Sequence, residues 1–394
     1  MENLPIVHVV NGRQKKLLQG HPWVYGNEIE RVEGEIEDGG LVTVVDFRGR
    51  YMGTGFYNSK SLITVRLLTH RQEEITDELI ASRVKAACDY RRFVMNRTGT
   101  DSCRLIYGEA DRLPGVIADR FGGVIVLQVL ALGMERFTQT IADALLACEK
   151  PDCLLLQNDD AIRRKEGMEC FTRVLYGTLP EENIIHENGV KLAVDVLGGQ
   201  KTGYFLDQKD NHLFVRQFCK DARVLDCFSY IGAFALNAAA AGAKEVTAVD
   251  ISEAAVQLIE KNAALNGADI TAVCANCFDF LRAQVKAGEK YDVVVLDPPA
   301  FTKAHANMAS ACRGYKEIAL SAMRLLPAGG VLATHSCSYH MPEEVFVNTV
   351  LSAAQDLHRQ VRVITLRRQD IDHPVLAGYP ESHYLKSLWL QMLD

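Results

Sequence analysis

From about residue 186 to the end of the chain, short apolar runs alternate with amphipathic stretches of helical length. Runs near 223–226, 245–249, 270–274, 291–296, 330–334 and 361–366 read as buried strands, and 384–392 reads as a closing hairpin strand. This alternation predicts an α/β class C-terminal domain built on a doubly wound, Rossmann-like sheet. The first seventy residues follow a different period. Ile6 to Val10, Leu41 to Asp46, Tyr51 to Tyr57 and Leu62 to Leu68 are β-rich runs separated by glycine-containing turns, with a short helix over Gln14 to Gln19. They predict a small β-barrel over residues 1–70.

Residues 71–185 read as a small central α+β domain. A helix from Ile75 to Asn96, capped by Thr76, precedes strands at Leu105–Tyr107, Gly115–Ala118 and Val124–Val129. A helix at Met134–Cys148 and a strand at Cys153–Gln157 follow. Ile184 to Leu197 alternates polar and apolar residues around Asn188-Gly189, a strong two-residue hairpin signal. The last domain is placed just after 185, over 186–394.

Composition narrows the class. The 394 residues are 48% hydrophobic and 24% charged, as in a soluble globular protein able to bury two or three cores. Met1 to Lys16 lacks the layout of a signal peptide, and the longest apolar run, Val124 to Leu132, is too short to span a bilayer and carries Gln128. A cytoplasmic location is expected. The eleven cysteines are scattered and odd in number, so reduced thiols are expected. Cys274 and Cys277 form a lone Cys-x-x-Cys without two further ligands, which reads as two half-buried thiols and no metal site. A net charge of −7 argues mildly against nonspecific nucleic-acid binding. Residues 1–70, however, balance eight basic against eight acidic side chains, leaving room for a local RNA-binding patch.

The chemistry concentrates at predicted strand ends, where open α/β sheets bind ligands. Asp226 ends the first strand, Phe228 to Gly232 makes a tight turn, and Asp250 ends the next strand about twenty positions on. An acid there suits a ribose hydroxyl pair. With Gly232 as the turn's only glycine, a pyrophosphate has little room, so a nucleoside without phosphates fits better. S-adenosylmethionine is the commonest such cofactor, and Asp226 suits its cationic amino-acid end. Gly203 to Gln208 precedes the strand as a lid or a helix cap; Asn276, Cys277 and Phe278 follow the third strand, where an adenine would lie, with Asn276 accepting from its amino group.

Asp297-Pro298-Pro299-Ala300-Phe301 is the more specific signal. Paired prolines after a buried strand fix the backbone and hold Asp297 and Phe301 toward the cleft, where they can bond and stack on a planar base. Cys337 ends the fifth strand. Carbon 5 of a pyrimidine is not basic, so its methylation needs a nucleophile at carbon 6, and a thiolate there makes carbon 5 electron-rich. Trp23 and Tyr25 read as core aromatics, and Arg13, Lys15 and Lys16 as candidates for phosphate contact.

These residues together resemble the bacterial 23S ribosomal RNA cytosine-5 methyltransferases that carry an N-terminal PUA domain. The resemblance rests on Gly20-His21-Pro22-Trp23-Val24, Tyr107 to Gly115, Gly199 to Gln208, Asp226 to Gly232, Asp297 to Phe301, Ser336-Cys337-Ser338 and His373-Pro374 through Glu381. It implies S-adenosylmethionine as cofactor, Cys337 as nucleophile with Asp297 beside it, 23S ribosomal RNA as substrate docked by the PUA domain, and a homodimer. It implies cofactor contacts at Phe205, Asp207, Gln208, Asp226, Ser229, Tyr230, Gly232, Asp250, Ile251, Asn276, Cys277, Phe278 and Asp297. Pro298, Phe301, Lys15 and Lys16 would face the substrate. Two departures stand out: His212 occupies a place where the family often has arginine, and Ala300 stands where another RNA cytosine-5 group has a second cysteine. The base for the carbon-5 proton is unassigned. Two rivals stay open: methylation of a ring nitrogen or exocyclic amine, which needs no thiol, and an RNA-binding assembly factor without turnover.

Overall fold

The structure is a computed structural model that describes residues 4–95, 99–301 and 307–394. A six-stranded sheet holds the N-terminal part, with strands Ile6–Val9, Trp23–Val24, Ile29–Glu33, Leu41–Val45, Tyr51–Tyr57 and Val65–Thr69. Its two edges are Trp23–Val24 and Ile29–Glu33. Only four residues join them, a reach of roughly 16 Å, so the sheet must curl back on itself. The strand Ile29–Glu33 escapes the hydrophobic pattern because Glu30 to Glu33 are exposed. Helix Gln14–Leu18 covers the core with Leu17.

The central part is a five-stranded sheet covered by helix Asp77–Val94, whose Thr76 Oγ1 accepts from the Leu79 amide at 3.3 Å. The predicted end of this helix at Asn96 lies outside the described residues. The stretch predicted as a single helix from Met134 begins as a 3-10 segment, Leu132–Phe137, and becomes α-helical over Thr138–Glu149. The exposed edge strand Phe171–Gly177 was not legible, since it presents Thr172, Arg173 and Val174 to solvent. At the hairpin of Ile184–Glu187 with Val190–Ala193, Asn188 and Gly189 take φ of 53° and 81°, as a type I′ turn requires.

The C-terminal sheet runs Thr271–Cys274, Glu245–Asp250, Arg223–Cys227, Val293–Leu296, Val331–Ser336, Lys386–Met392, Val361–Arg367 in space. The first five are parallel and Lys386–Met392 is antiparallel to both neighbours. Strand order reverses between Arg223–Cys227 and Val293–Leu296, which puts the ligand cleft at their carboxyl ends.

The parts are tied together at that cleft. Arg91 donates to the Asp372 carbonyl at 2.8 Å, and Arg104 pairs with Asp119 at 2.8 Å. Asp119 accepts from Thr202 at 2.6 Å, and the fully buried Lys209 pairs with Asp372 and with Asp370 at 3.5 Å. This buried ionic cluster anchors the segment 202–209. Trp23 and Tyr25 are half-buried at a joint and not in a core: the Trp23 indole donates to Glu109 at 2.7 Å, and its ring lies 4.8 Å from that of Tyr379. Beside them Gly378 packs on the backbone of Gln19, where an added Cβ would lie 2.3 Å from the carbonyl oxygen. Gly378→Ala is therefore expected to cost about 1–3 kcal/mol by overpacking, read as a lowered midpoint in denaturant unfolding.

Candidate functional site

A cavity of about 340 Å³ opens at the carboxyl ends of the parallel strands, a size suited to a nucleoside-bearing ligand. Its floor is the turn 228–232, where Phe228, Tyr230 and Gly232 all have positive φ (63°, 51° and 87°). Two non-glycine residues in the left-handed region within one turn are strain that the surroundings must hold. The partners are visible. The Tyr230 amide donates to Asp250 Oδ2 at 2.9 Å, the Phe228 amide to Cys277 Sγ at 3.3 Å, and the Tyr230 hydroxyl to the Gly203 carbonyl at 2.9 Å. The last of these bonds ties the segment 200–208 over the cavity, so that it acts as a wall as well as a helix start.

Fourteen of the residues singled out from sequence line this cavity. Phe205, Asp207 and Gln208 come from the wall, Ser229 and Tyr230 from the turn, and Asp250 and Ile251 from the second strand end. Asn276, Cys277 and Phe278 come from the third, and Asp297, Pro298, Phe301 and Cys337 close the other side. Four do not line it: Asp226, Gly232, Lys15 and Lys16. Asp226 is fully buried behind the turn, accepting from the Ser229 hydroxyl at 2.5 Å and the Ala235 amide at 3.1 Å, and burial pushes its carboxyl up to about 7. It holds the helix start and does not line the cavity, with its Oδ1 left without a hydrogen-bond partner among the described residues. Gly232 supplies the left-handed N-cap of helix Ala233–Ala240 against Ile259. Lys16 is engaged by Glu28 at 2.6 Å and lies over the Tyr25 ring, while Lys15 is exposed.

The acid that suits the cationic end is Asp207. It is 3% exposed, and its Oδ1 has no hydrogen-bond partner among the described residues, while Oδ2 accepts from the Tyr384 hydroxyl. Burial alone would raise this carboxyl, but Lys201, His373, Tyr384 and Arg104 outweigh it and hold it down to about 2. Asp207 is thus an ionised, half-satisfied carboxylate facing a cavity, which fits a sulfonium amino acid. Across from it, burial and the Asp207 charge push Asp297 up to about 7, with Gln208 donating to its Oδ1 at 3.0 Å. One acid stays charged and the other is half-protonated near neutrality.

Cys337 follows strand Val331–Ser336 directly. Burial pushes its thiol up to about 11; Lys201 acts against the shift and Asp297 and Asp207 with it. Phe278 and Phe301 lie with ring centroids 5.8 Å apart, and Phe301 is 4.7 Å from Tyr315, an apolar wall for planar groups.

Two sequence readings change in detail. Asn276 is exposed, and its Oδ1 already accepts from the Phe278 amide at 2.9 Å as the cap of helix Cys277–Ala287, so it is the turn residue first and has one lone pair left for a base. Of the Cys-x-x-Cys pair, Cys274 is exposed and Cys277 buried, not both half-buried; no group of three or more metal-ligating side chains occurs among the described residues. His212 lines the cavity and is paired through Nδ1 with Glu187 at 2.7 Å. Gln200, Tyr204, Phe228 and Leu385 also line it and were not singled out. The first two sit in the motif 199–208, whereas Leu385 arrives only through the antiparallel strand.

Comparison with known proteins agrees with this geometry. A PUA-like domain model matches residues 7–70, and a model of S-adenosylmethionine-dependent methyltransferases matches residues 125–369. A candidate S-adenosylmethionine-dependent methyltransferase from Streptococcus mutans shares the fold at a TM-score of 0.84, with 20% identity over 98% of this chain and 99% of its own. A second structure with the same figures is complexed with S-adenosylhomocysteine. Ribosomal RNA large subunit methyltransferase I of Klebsiella pneumoniae strain 342 is 42% identical over 97% of both chains. Its counterpart in Salmonella arizonae is 41% identical over 98% of this chain and 96% of its own. S-adenosylmethionine is accordingly the cofactor, and no helix among the described residues is long and apolar enough to cross a membrane. A PUA-like domain, a methyltransferase sheet and end-to-end similarity at 42% identity place the chain in one family: it belongs to the ribosomal RNA large subunit methyltransferase I proteins.

Proposed function

We propose that the protein methylates carbon 5 of a cytosine in 23S ribosomal RNA through a covalent adduct of Cys337 with carbon 6. The observation that carries this reading is the meeting of Cys337, Asp297 and Phe301 in one cavity with Asp250 and Asp207. A nitrogen methyltransferase has no use for a thiol at that point. In this reading Asp250 takes the ribose hydroxyls, Phe278 and Ile251 cover the adenine, and Asp207 takes the cationic amino-acid end. The cofactor supplies the methyl group. Pro298 and Phe301 hold the target base.

The residues' own chemistry follows. The Cys337 thiolate forms a bond to carbon 6, and the electron pair of the ring moves toward nitrogen 3, which Asp297 protonates. Carbon 5 is then nucleophilic and accepts the methyl group. Loss of the carbon-5 proton to a base, expulsion of the thiolate and return of the nitrogen-3 proton to Asp297 restore the neutral ring. Asp297 suits the proton donor because burial keeps it half-protonated near pH 7.

Residues 1–70 dock RNA in this reading, with Lys15 and Arg13 free for phosphate contact; 71–185 join them to the catalytic part 186–394. The assembly proposed is a cytoplasmic homodimer. The test is nucleoside mass spectrometry of 23S RNA after incubation with protein and cofactor, together with RNA carrying 5-fluorocytosine. Expected are 5-methylcytidine and a cofactor-dependent covalent complex that survives denaturing electrophoresis, since fluorine blocks the last elimination. An N-methylated nucleoside with no trapped complex would replace this reading.

A pH prediction accompanies it. With a thiol near 11 and an acid near 7, the required pair is a thiolate and a protonated carboxyl. kcat/KM should rise with pH up to about 7 and then level off. In Asp297→Asn the residual rate should keep rising roughly tenfold per unit beyond pH 7, because the compensating loss of the acid is gone.

A further inference from the structure

Lys386 presents an unusual burial. It opens strand Lys386–Met392, is 3% exposed, and donates from Nζ to the backbone carbonyls of Ser338 at 2.5 Å and Tyr384 at 2.7 Å. No ion pair within 4 Å ties it to a carboxylate among the described residues, and the charge of Glu343 acts on it only from farther off. A buried ammonium without a close anion is costly, and natural structures normally supply one. The antiparallel pairing shows where one is. Lys386 is opposite Ser336, and its side chain reaches the carbonyl of Ser338. It therefore spans the residue between them, Cys337.

We propose that Lys386 is the counter-ion of the Cys337 thiolate, a positioning residue that fixes the nucleophile's loop and favours its charged form. This rests on the reading of Cys337 as nucleophile. Two backbone acceptors occupy two of the three ammonium hydrogens, and the third remains for the sulfur. The groups facing the pair agree with the assignment. Lys201 acts on Cys337 from the segment 200–208, but its side chain is 45% exposed, lies over the Phe205 ring and is 3.8 Å from Asp207, so its charge is shared with that acid. Asp297 and Asp207 oppose the thiolate by their charge. Glu343 and Cys337 favour the charged lysine, and His383 lies near it on the same loop. Burial pulls the amine down to about 8, so it is charged at neutral pH and loses its proton a little above it.

The test reads the thiol directly, without RNA or cofactor. The full chain is treated with iodoacetamide from pH 6 to 10, and the alkylation rate of each cysteine is followed by peptide mass spectrometry. Lys386→Gln keeps donors for the two carbonyls but removes the charge. It should slow Cys337 alkylation about tenfold at pH 7.5, where Lys386 carries its charge, and the difference from the normal protein should shrink above pH 8 as Lys386 loses its proton. Lys386→Arg should keep the normal profile. The exposed Cys274 should not change in any variant, and protection of the buried Cys88 and Cys227 reports an intact fold. Should Lys386→Gln not fold, Lys386→Met repeats the measurement with an apolar side chain. An unmoved Cys337 profile in a folded neutral variant overturns the ion pair, while the fluorocytosine trap still decides the cytosine-5 reading. A moved profile without any trapped complex keeps the ion pair and removes that reading.

Discussion

Cys337→Ala is expected to bind S-adenosylmethionine and RNA with normal affinity and to lose methyl transfer by at least ~10³-fold. The thiol is the group whose addition makes carbon 5 nucleophilic, and the other thiol lining the cavity among the described residues, Cys277, is buried and engaged by the Phe228 amide and the Val249 carbonyl. Its removal should hardly disturb the fold. Cys337 is only partly buried at a strand end, so the loss of its sulfur should cost under about 1 kcal/mol in unfolding experiments. Calorimetry with cofactor, gel-shift with ribosomal RNA and transfer of labelled methyl groups separate these quantities. The trapped complex with 5-fluorocytosine RNA should be absent from the variant. Turnover close to normal in Cys337→Ala would sink the mechanism and leave nitrogen methylation as the better account.

The second large effect is expected at Asp250. Asp250→Ala should weaken cofactor binding by about 1.5–3 kcal/mol, the worth of hydrogen bonds to a charged acceptor, or roughly 10- to 150-fold in Kd. The same carboxylate also accepts from the amides of Tyr230 and Ser252, both at 2.9 Å, so it holds the strained turn as well. Asp250→Asn separates the two contributions. One amide oxygen can still accept from Tyr230, while the charge and the second acceptor, which the Ser252 amide uses, are gone. An asparagine variant intermediate between wild type and alanine, with an unchanged unfolding midpoint, would assign the loss to the cofactor. Unaltered affinity in both variants would remove Asp250 from the site.

Much of this protein was legible because local chemistry and global fold coincide. The alternation of strands and helices after residue 186 follows from burial on both faces of a parallel sheet, which forces continuous apolar strands. The hairpin at Asn188-Gly189 follows from two left-handed positions that other residues avoid. The motifs at 228–232, 276–278 and 297–301 come to one cavity because parallel strands deliver their carboxyl ends to the same edge, and 203–208 is held over it by the Tyr230 hydroxyl. For that reason cofactor class and cleft position could be read from the chain alone.

Tertiary structure decided what depends on direction and on neighbours distant in sequence. A strand-end acid can point into the cleft or behind it: Asp226 turned back to Ser229 and Ala235, while Asp250 and Asp297, and Asp207 from the wall segment, line the cavity. The edge strands Ile29–Glu33 and Phe171–Gly177 carry polar, exposed side chains, so no hydrophobic period marks them; only pairing with a neighbour makes them strands. Trp23 gained its role from Glu109 and Tyr379, residues of two other parts of the chain. Lys386 stands 49 positions after Cys337 and is brought to it by antiparallel register, a relation set by backbone hydrogen bonds that leaves no mark on residue type. Sequence determined which chemistry collects at the sheet edge, because side-chain type and strand period are local; structure decided which groups face one another, because facing is a property of packing.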